Sequence, residues 1–425
     1  MTSASRRTVL TGIGVLSPIG SDPATYWQSL LDRKSGVRPI RRIDASDMPS
    51  RIAADVPDFD PKKLLEKDQR KAIRVMARTV QLGVCVANIT LKDASLLKGS
   101  IDPKRIGIDF GSAMVHSELD DIGRASKLST NGEPDSVSLK TWGEIGIKEI
   151  QPTWMLKYLP NMPACHITVN NDMQGPSNTI TSGEVSSLLA MAEGWRIIER
   201  NLVDVMMVGG CDSKLNPLNF LRQSLFQSLT RRNDEPAKAL RPFDKNRDGT
   251  VLSEGAIAIT IEELEHAQKR GAKIYAELVG FAAGFDREKQ GVVLARVIQR
   301  ALRNAGITPE EIDHVNAHGL GSQDADLWEA KGISQVFGNR TPVLALKGYL
   351  GAGGPAGSLV EMLASILAFQ HGQLPSTLNC EDPDPRCAIW VHNEGLRPVT
   401  KPYALKISMT ELGHVAVAII KRWEQ

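Results

Sequence analysis

A chain of 425 residues with 42% hydrophobic and 24% charged residues is long and apolar enough to bury one large core or two fused ones. This composition excludes a disordered or fibrous protein. The net charge is +2 with acidic and basic residues interspersed, so the sequence predicts neither nucleic acid nor a membrane surface as a partner.

The cysteines and the N-terminus bear on the cellular compartment. The five cysteines, at positions 85, 165, 211, 380 and 387, have neither CxxC spacing nor an even count, which favours reduced thiols and a cytoplasmic location. Residues 5–10 look like the start of a twin-arginine export signal, but Gly and Pro residues between 12 and 20 interrupt the apolar stretch. We interpret this stretch as the first buried strand of a domain. No uninterrupted run of about 18 apolar residues predicts a membrane-spanning helix.

Apolar runs rich in β-branched residues alternate with helix-period segments. The predicted strands lie at 8–15, 105–110, 203–208, 256–261, 273–280, 313–317, 342–345 and 415–421, and the predicted helices at 185–199, 263–270, 293–304 and 356–369. This alternation predicts a layered α/β architecture. The helices near residues 190 and 362 carry small and apolar residues all round, so both are expected to lie buried between sheets.

The two ends of the chain are built alike, because each contributes several strands and one of these buried helices. The predicted division is an N-terminal half, 1–254, and a C-terminal half, 255–425. A polar loop at about 116–149 is predicted as an insertion in the first half. The Pro-, Gly- and charge-rich segment 241–255 is interpreted as the connection between the halves.

Two short motifs suggest bound groups but fail in detail. The segment from Asp244 resembles the opening of an EF-hand, yet the twelfth position, which needs a bidentate Glu, is Gly255, so no metal site is predicted. The glycines at 12 and 14 follow a strand but lack the third glycine of a dinucleotide fingerprint. No bound cofactor is therefore predicted.

Two segments are typical of reactive sites. His318 lies in a Gly-rich turn after a buried strand, where a ligand can approach the backbone, although such a histidine is also compatible with a structural role. Asp326 and Glu329, just after it, are expected to cap and begin a helix. Residues 175–185 run from a strand through a tight turn into a buried helix, where α/β enzymes present a nucleophile and bind an oxyanion.

A family resemblance rests on several motifs in chain order. The chain resembles the β-ketoacyl-acyl-carrier-protein synthases of type II fatty acid and polyketide synthesis in Asn161-Met162, Gly175-Pro176, Arg241-Pro-Phe-Asp244, Ser253-Glu254-Gly255, Ala317-His318-Gly319 and Leu378-Asn379. The resemblance extends from residue 8 to residue 420. It implies a thiolase-like fold of two similar halves with a five-layered α/β/α/β/α core. It also implies a dimer and substrates that arrive on the phosphopantetheine of an acyl carrier protein.

The residues implied as catalytic by this resemblance are only partly present. The family's acyl-accepting cysteine corresponds to Glu184, and the first of its two histidines corresponds to His318. The second histidine corresponds to Ala352, although the family lysine is kept as Lys347. The family's Gly-Phe-Gly-Gly gate corresponds to Thr410 and the three residues after it. A carboxylate is a poor thioester acceptor because the resulting mixed anhydride would hydrolyse.

Three functions are compatible with these changes. The first, which the pattern favours, is a non-condensing partner that resembles a chain-length factor and pairs with an active ketosynthase as a heterodimer, or forms a homodimer. The second is an enzyme that uses Glu184 and His318 as a base and acid pair on a carrier-bound acyl group, for decarboxylation or thioester hydrolysis. The third is ordinary condensation through Cys165 or Cys211. The pattern predicts that both lie on buried strands, where thiols are expected to be inert.

Overall fold

The structure is a computed structural model that describes residues 6–130, 132 and 136–424. The strands in these ranges are β1 (Thr8–Leu16), β2 (Arg38–Pro39), β3 (Ile52–Ala53), β4 (Ile106–Gly111), β5 (Ser177–Ile180), β6 (Val205–Ser213), β7 (Glu254–Glu263), β8 (Ala276–Phe285), β9 (Ile312–Asn316), β10 (Pro342–Leu344), β11 (Gln373–Leu374), β12 (Trp390–Val391), β13 (Arg397–Pro398), β14 (Tyr403–Met409) and β15 (His414–Arg422).

The α-helices in the same ranges are α1 (Pro23–Leu31), α2 (Pro61–Leu64), α3 (Arg78–Asp93), α4 (Leu119–Leu128), α5 (Leu139–Glu144), α6 (Met162–Asn171), α7 (Ser186–Glu199), α8 (Pro217–Phe226), α9 (Leu264–Lys269), α10 (Val292–Ala305), α11 (Gln323–Phe337), α12 (Lys347–Leu350) and α13 (Gly357–His371). Short 3-10 turns lie at Gln69–Val75, Pro103–Arg105, Gly146–Glu149, Trp154–Lys157, Gly183–Val185, Pro236–Lys238, Pro309–Glu311 and Gly354–Ala356.

Eleven strands form one mixed sheet in the order β12-β10-β9-β14-β15-β8-β1-β7-β6-β4-β5. The sheet consists of two groups that meet where β1 pairs with β8 over only three residues, Thr8 to Leu10. On its other side β1 pairs with β7 along almost its whole length. Each group combines parallel pairs, such as β4 with β6 and β9 with β14, with antiparallel ones.

Three large hydrophobic clusters define the layers. One lies between the two strand groups and includes α7 and α13. The second packs α3 and α6 against the outer face of the β1-β7-β6-β4-β5 group, and the third packs α10 and α11 against the outer face of the other group. The layers therefore alternate helix, sheet, helix, sheet, helix, which confirms the predicted architecture. The burial of α7 and α13 between the strand groups also agrees with their composition.

The eight predicted strands and four predicted helices are confirmed, with shifts at their ends. The expectation of a polar loop over 116–149 is wrong, because α4 and α5 lie within it; residues 131 and 133–135 of this segment are outside the described residues. Strand β14 was not predicted, since Lys406 and Ser408 interrupt its apolar pattern although both are buried. The division into halves at 254 and 255 stays a prediction. Across the described ranges, every helix is too short or too polar to cross a bilayer.

Candidate active site

The turn between β5 and α7 positions Glu184. Gly183 adopts a φ of +61°, a backbone conformation that is strained for any residue with a Cβ. Glu184 follows it in the 3-10 turn that leads into α7. The Ser186 hydroxyl donates to the Gly183 carbonyl at 2.7 Å and accepts from the Ser182 amide at 2.8 Å, which closes the turn. These contacts fix the backbone that carries the Glu184 side chain.

Residues of α13 and β14 also bind the Glu184 backbone. Its carbonyl oxygen accepts hydrogen bonds from the hydroxyls of Ser358 on α13 and Ser408 on β14, the latter at 3.0 Å. The same two hydroxyls lie 2.6 Å apart. Position 184 therefore lies where the turn before α7 meets α13 and β14.

The Glu184 side chain forms an ion pair with Lys214, the first residue after β6. The distance between Lys214 Nζ and Glu184 Oε1 is 3.1 Å, and the side chains are 8% and 20% exposed. Burial disfavours the Glu184 carboxylate, but the charges of Lys214 and Lys347 and a hydrogen bond from its own amide outweigh burial and lower its pKa. Burial disfavours the Lys214 ammonium as well, yet the charges of Glu184 and Asp212 raise its pKa. Both groups are therefore ionised at neutral pH.

Two further carboxyl groups lie near this pair. Asp212, at the end of β6, is 4% exposed, and its Oδ2 has no hydrogen-bond partner within the described residues. Burial raises the pKa of Asp212 to about 6. Burial and the charge of Glu184 raise the pKa of Glu411. Glu411 also lines a cleft of about 400 Å³ together with Trp328 and Lys289.

His318 lies in the loop between β9 and α11, and a buried carboxylate holds its backbone. The amides of His318 and Gly319 donate to the two oxygens of Glu329 at 2.7 and 2.8 Å. Asp326 accepts from the amides of Gly321 and Phe243 at 3.0 and 2.8 Å. The expectation that these two residues begin a helix is confirmed for Asp326, which lies in the first turn of α11. The expectation that they cap it is wrong, because the residue at the N-cap is Ser322 and both carboxylates bind amides of the His318 loop.

Lys347 orients the His318 side chain. Its ammonium donates to His318 Nδ1 at 3.2 Å, to the His318 carbonyl at 2.6 Å and to Glu361 Oε1 at 2.6 Å, so all three N–H groups have acceptors. Because Nδ1 accepts, the neutral imidazole carries its proton on Nε2. Burial and the charges of Lys347 and two other lysines lower the pKa of His318 far below its ordinary value. His318 is thus a neutral hydrogen-bond donor.

Glu361 connects the Lys347–His318 pair to strand β14. Its second carboxylate oxygen accepts from Lys406 on β14, and Lys406 donates also to the Asn316 side chain at 3.1 Å and to the Ala317 carbonyl at 3.0 Å. Burial lowers the pKa of Lys406. One carboxylate on the otherwise apolar helix α13 therefore compensates two buried ammonium groups, one from α12 and one from β14.

The two altered positions contribute no titratable side chain. Ala352 is buried, and its amide donates to the Val251 carbonyl at 2.8 Å. The adjoining 3-10 turn Gly354–Ala356 packs against β6 and against the turn that carries Glu184. Thr410 opens the turn between β14 and β15, where its hydroxyl accepts from the His414 amide at 3.1 Å. A Cβ at Gly183 would lie 3.3 Å from Thr410 Cγ2.

The predicted residues form two groups. Lys347 and His318 are in direct contact, whereas no hydrogen bond joins Glu184 to His318 in the ranges that the structure covers. Electrostatic influence connects the groups, because Lys347 acts on Glu184 and Lys214 acts on His318. The sequence analysis missed Lys214, although two charged residues, Asp212 and Lys214, at the end of an apolar strand are an unusual feature. It also missed Glu361, which could have been noticed as the one carboxylate in the apolar run of α13.

The two cysteines considered as substitute nucleophiles lie elsewhere. Cys211 is on β6 as predicted, and burial raises the pKa of its thiol well above the ordinary value. Cys165 is not on a buried strand as predicted: it lies half-buried on α6, where it accepts from Asn161 at 3.4 Å. The polar residues around Cys165 obscured the helical pattern of α6, which packs against α3.

Comparisons with known proteins bear on the family and the fold of the chain. The models of the N-terminal and C-terminal domains of beta-ketoacyl synthases match residues 5–267 and 275–381. The chain is 36% identical to 3-oxoacyl-[acyl-carrier-protein] synthase 2 of Coxiella burnetii, over 92% of each chain. It is similar to a beta-ketoacyl synthase structure from Burkholderia phymatum, with a TM-score of 0.88, 27% identity and coverage of 99% of this chain and 100% of that one. The ishigamide ketosynthase/chain length factor has a TM-score of 0.86, 29% identity and the same coverage.

Proposed function

Because the chain belongs to the β-ketoacyl synthase family of fatty acid and polyketide biosynthesis, we propose that it is a non-condensing member that pairs with an active ketosynthase and helps to shape the space for the acyl chain. The observation that carries this proposal is the Glu184–Lys214 ion pair at the start of α7, where the family resemblance implies a cysteine. A carboxylate engaged by an ammonium is a weaker nucleophile than a thiolate, and its acyl adduct would be an unstable anhydride. Condensation through this position is therefore not expected.

The loss of the second histidine supports the same function. Ala352 offers only a methyl group, and the nearby Lys214 ammonium is already bound to Glu184. Removal of one oxyanion donor typically lowers a rate by about 100-fold to 1,000-fold. His318 alone, as a neutral donor, would leave both condensation and decarboxylation slow.

The proposed partners are a condensing ketosynthase, in a heterodimer, and an acyl carrier protein. The name of the Coxiella relative includes an acyl carrier protein, and the ishigamide structure contains a ketosynthase with a chain length factor. Acyl groups would arrive on phosphopantetheine, so the proposal requires no resident cofactor. A homodimer is the state expected when the ketosynthase is absent.

A second candidate function is supported by the ionisation of the site. Glu184 is ionised and could act as a base, since its pKa is lowered. Its proposed acid, His318, has a strongly lowered pKa and is neutral, which makes it a poor proton donor at neutral pH. The geometry therefore supports a hydrogen-bonding role for His318 better than an acid and base pair.

Intact-protein mass spectrometry after incubation with malonyl and acyl carrier proteins tests the proposal. We expect no protein adduct and no released product from the native chain, whereas Glu184→Cys should accept an acyl group. Co-expression with each cysteine-bearing ketosynthase encoded beside this chain should give a heterodimer by light scattering. An adduct on the native chain, or carrier turnover that disappears in Glu184→Gln, would contradict the proposal and support the second candidate.

A further inference from the structure

Lys214 is a buried cation with one hydrogen-bonded partner. Within the described residues, the bond to Glu184 Oε1 at 3.1 Å is the single hydrogen bond of its ammonium. An ammonium buried in this way needs a carboxylate beside it, because an isolated charge in a low-dielectric interior is costly. Glu184 therefore occupies a position that an anionic ligand could otherwise take.

The other carboxyl groups around Lys214 do not replace Glu184 in that contact. The charges of Asp212 and Glu411 act on Lys214, but neither is hydrogen-bonded to it in the described chain. Asp212 is enclosed by the Gly354 backbone, since a Cβ at Gly354 would lie 2.3 Å from Asp212 Oδ2 and 3.0 Å from Lys214 Cε. Glu411 lines the cleft that also contains Trp328 and Lys289. The charges that act on Lys214 are thus all carboxylates, and only Glu184 is hydrogen-bonded to it in the described chain.

This arrangement bears on which acyl groups the site admits. An acyl unit that ends in a carboxylate, such as a malonyl group, would have to bring its charge beside Glu184, Asp212 and Glu411 while the Lys214 ammonium is already paired. Like charges at short distance in a poorly solvated site repel strongly. An uncharged acyl chain meets no such barrier.

We propose that Glu184 serves as a built-in carboxylate that occupies Lys214, so that the site rejects acyl groups bearing a terminal carboxylate and admits uncharged acyl chains. Lys214 and Glu184 are then specificity-determining residues rather than remnants of the family chemistry. The inference rests on the proposed function, because a non-condensing subunit receives the growing neutral chain and has no need for the carboxylated extender unit. It goes further by assigning the selection to one ion pair.

The test measures binding of two stable pantetheine amides, malonyl and hexanoyl, to the full chain by calorimetry. The native chain should bind the hexanoyl amide and should bind the malonyl amide at least about tenfold more weakly. Glu184→Gln keeps the side-chain size and frees the Lys214 ammonium, so its affinity for the malonyl amide should rise by about tenfold or more, the size of one charge-assisted hydrogen bond. Affinity for the hexanoyl amide should change by less than about threefold in the same variant.

The double variant Glu184→Gln/Lys214→Met is the matched control, because it removes both charges. It should lose the gain in malonyl binding. Equal affinities of the native chain for the two amides, no gain in Glu184→Gln, a gain that persists in the double variant, or no binding of either amide would each overturn the inference. Equal affinities of the native chain for the two amides would overturn the inference even if a variant failed to fold.

Heterodimer formation is measured separately and distinguishes the two proposals. A chain that pairs with a ketosynthase but does not discriminate between the amides loses only the inference about Lys214. A chain that discriminates but never pairs loses only the proposed partner function.

Discussion

The candidate site has two corners, one formed by His318, Lys347, Glu361 and Glu329 and the other by Glu184, Lys214 and Asp212. They differ in how many of their charged atoms have a hydrogen-bond partner. The corner around His318 has a hydrogen-bond partner for every N–H of Lys347 and for both oxygens of Glu361 and of Glu329. The corner around Glu184 contains one ion pair and an Asp212 oxygen that has no hydrogen-bond partner among the described residues. The first corner is a rigid network, whereas the second places three carboxyl groups close to Lys214.

This difference teaches that the survival of a family residue need not indicate surviving chemistry. Lys347 and Glu361 connect α12, α13 and the His318 loop, and Lys406 adds β14. Loss of Glu361 would leave two buried ammonium groups without their shared carboxylate, so the need for stability is enough to keep it. The resemblance implies a cysteine at position 184, so the carboxylate that pairs with Lys214 is not one of the retained family residues.

The largest effect is expected from breaking the satisfied corner. Glu361→Gln leaves Lys347 and Lys406 buried without their shared carboxylate and should lower the free energy of unfolding by about 3–5 kcal/mol. Urea denaturation monitored by circular dichroism measures this loss. Glu66→Gln is the matched control, because Glu66 also pairs with a lysine, Lys92, but at the surface, where such a pair contributes about 0–1 kcal/mol. Similar losses in the two variants would contradict the contrast between the corners.

The next effect concerns the unsatisfied carboxyl of Asp212. Its pKa is raised from 3.8 to about 6 by burial, so the folded chain keeps a proton that the unfolded chain releases between about pH 4 and 6. The folded state therefore loses stability relative to the unfolded state as the pH rises through this window, and the loss is complete above about pH 6. A shift of this size corresponds to at most about 3 kcal/mol.

Asp212→Asn should remove this pH-dependent loss. The difference in unfolding free energy between the variant and the native chain should move in favour of the variant by about 2–3 kcal/mol from pH 4 to pH 7. Urea denaturation at the two pH values measures it, and contributions from other groups cancel in the difference. A difference that stays constant with pH would show that Asp212 titrates normally.

A third, smaller effect tests the electrostatics of the Glu184 position through a thiol. In Glu184→Cys the new thiol lies beside the Lys214 ammonium, which should lower its pKa and raise the fraction of thiolate at pH 7 about tenfold relative to Glu184→Cys/Lys214→Met. The rate of alkylation by iodoacetamide, followed by mass spectrometry, reports this fraction. Alkylation of the half-buried Cys165 gives a background rate, which is measured on the native chain. Equal rates in the two variants would mean that Lys214 does not act on this position.

The fold could be predicted from the sequence because its signals are local. The apolar runs of β1 and β7 and the small-residue composition of α7 and α13 reflect burial directly. Strand β14 was missed because Lys406 is a buried cation whose partner lies 45 residues away in the sequence. A charge on a strand indicates solvent exposure unless its partner is known.

The site was only half predictable for the same reason. Glu184 and His318 could be found from motifs around them, and Lys347 from the motif that follows the next strand. Lys214 became part of the site only through its contact with Glu184, 30 positions earlier in the chain. Sequence spacing carries no information about such a contact, since the fold of the sheet places the turn before α7 next to the end of β6.

The smallest effect concerns the turn that presents Glu184. Gly183→Ala places a Cβ on a residue with a φ of +61°, 3.3 Å from Thr410 Cγ2, and should lower the free energy of unfolding by roughly 1 kcal/mol. Gly123→Ala, in the middle of α4 where no atom of the described residues lies within 4 Å of the added Cβ, is the control and should stabilise the chain by about 0.5–1 kcal/mol. In the Glu184→Cys background, Gly183→Ala should also slow alkylation, because a distorted turn moves the thiol away from Lys214. A loss of stability with an unchanged alkylation rate would instead mean that α7, rather than the turn, determines where residue 184 points.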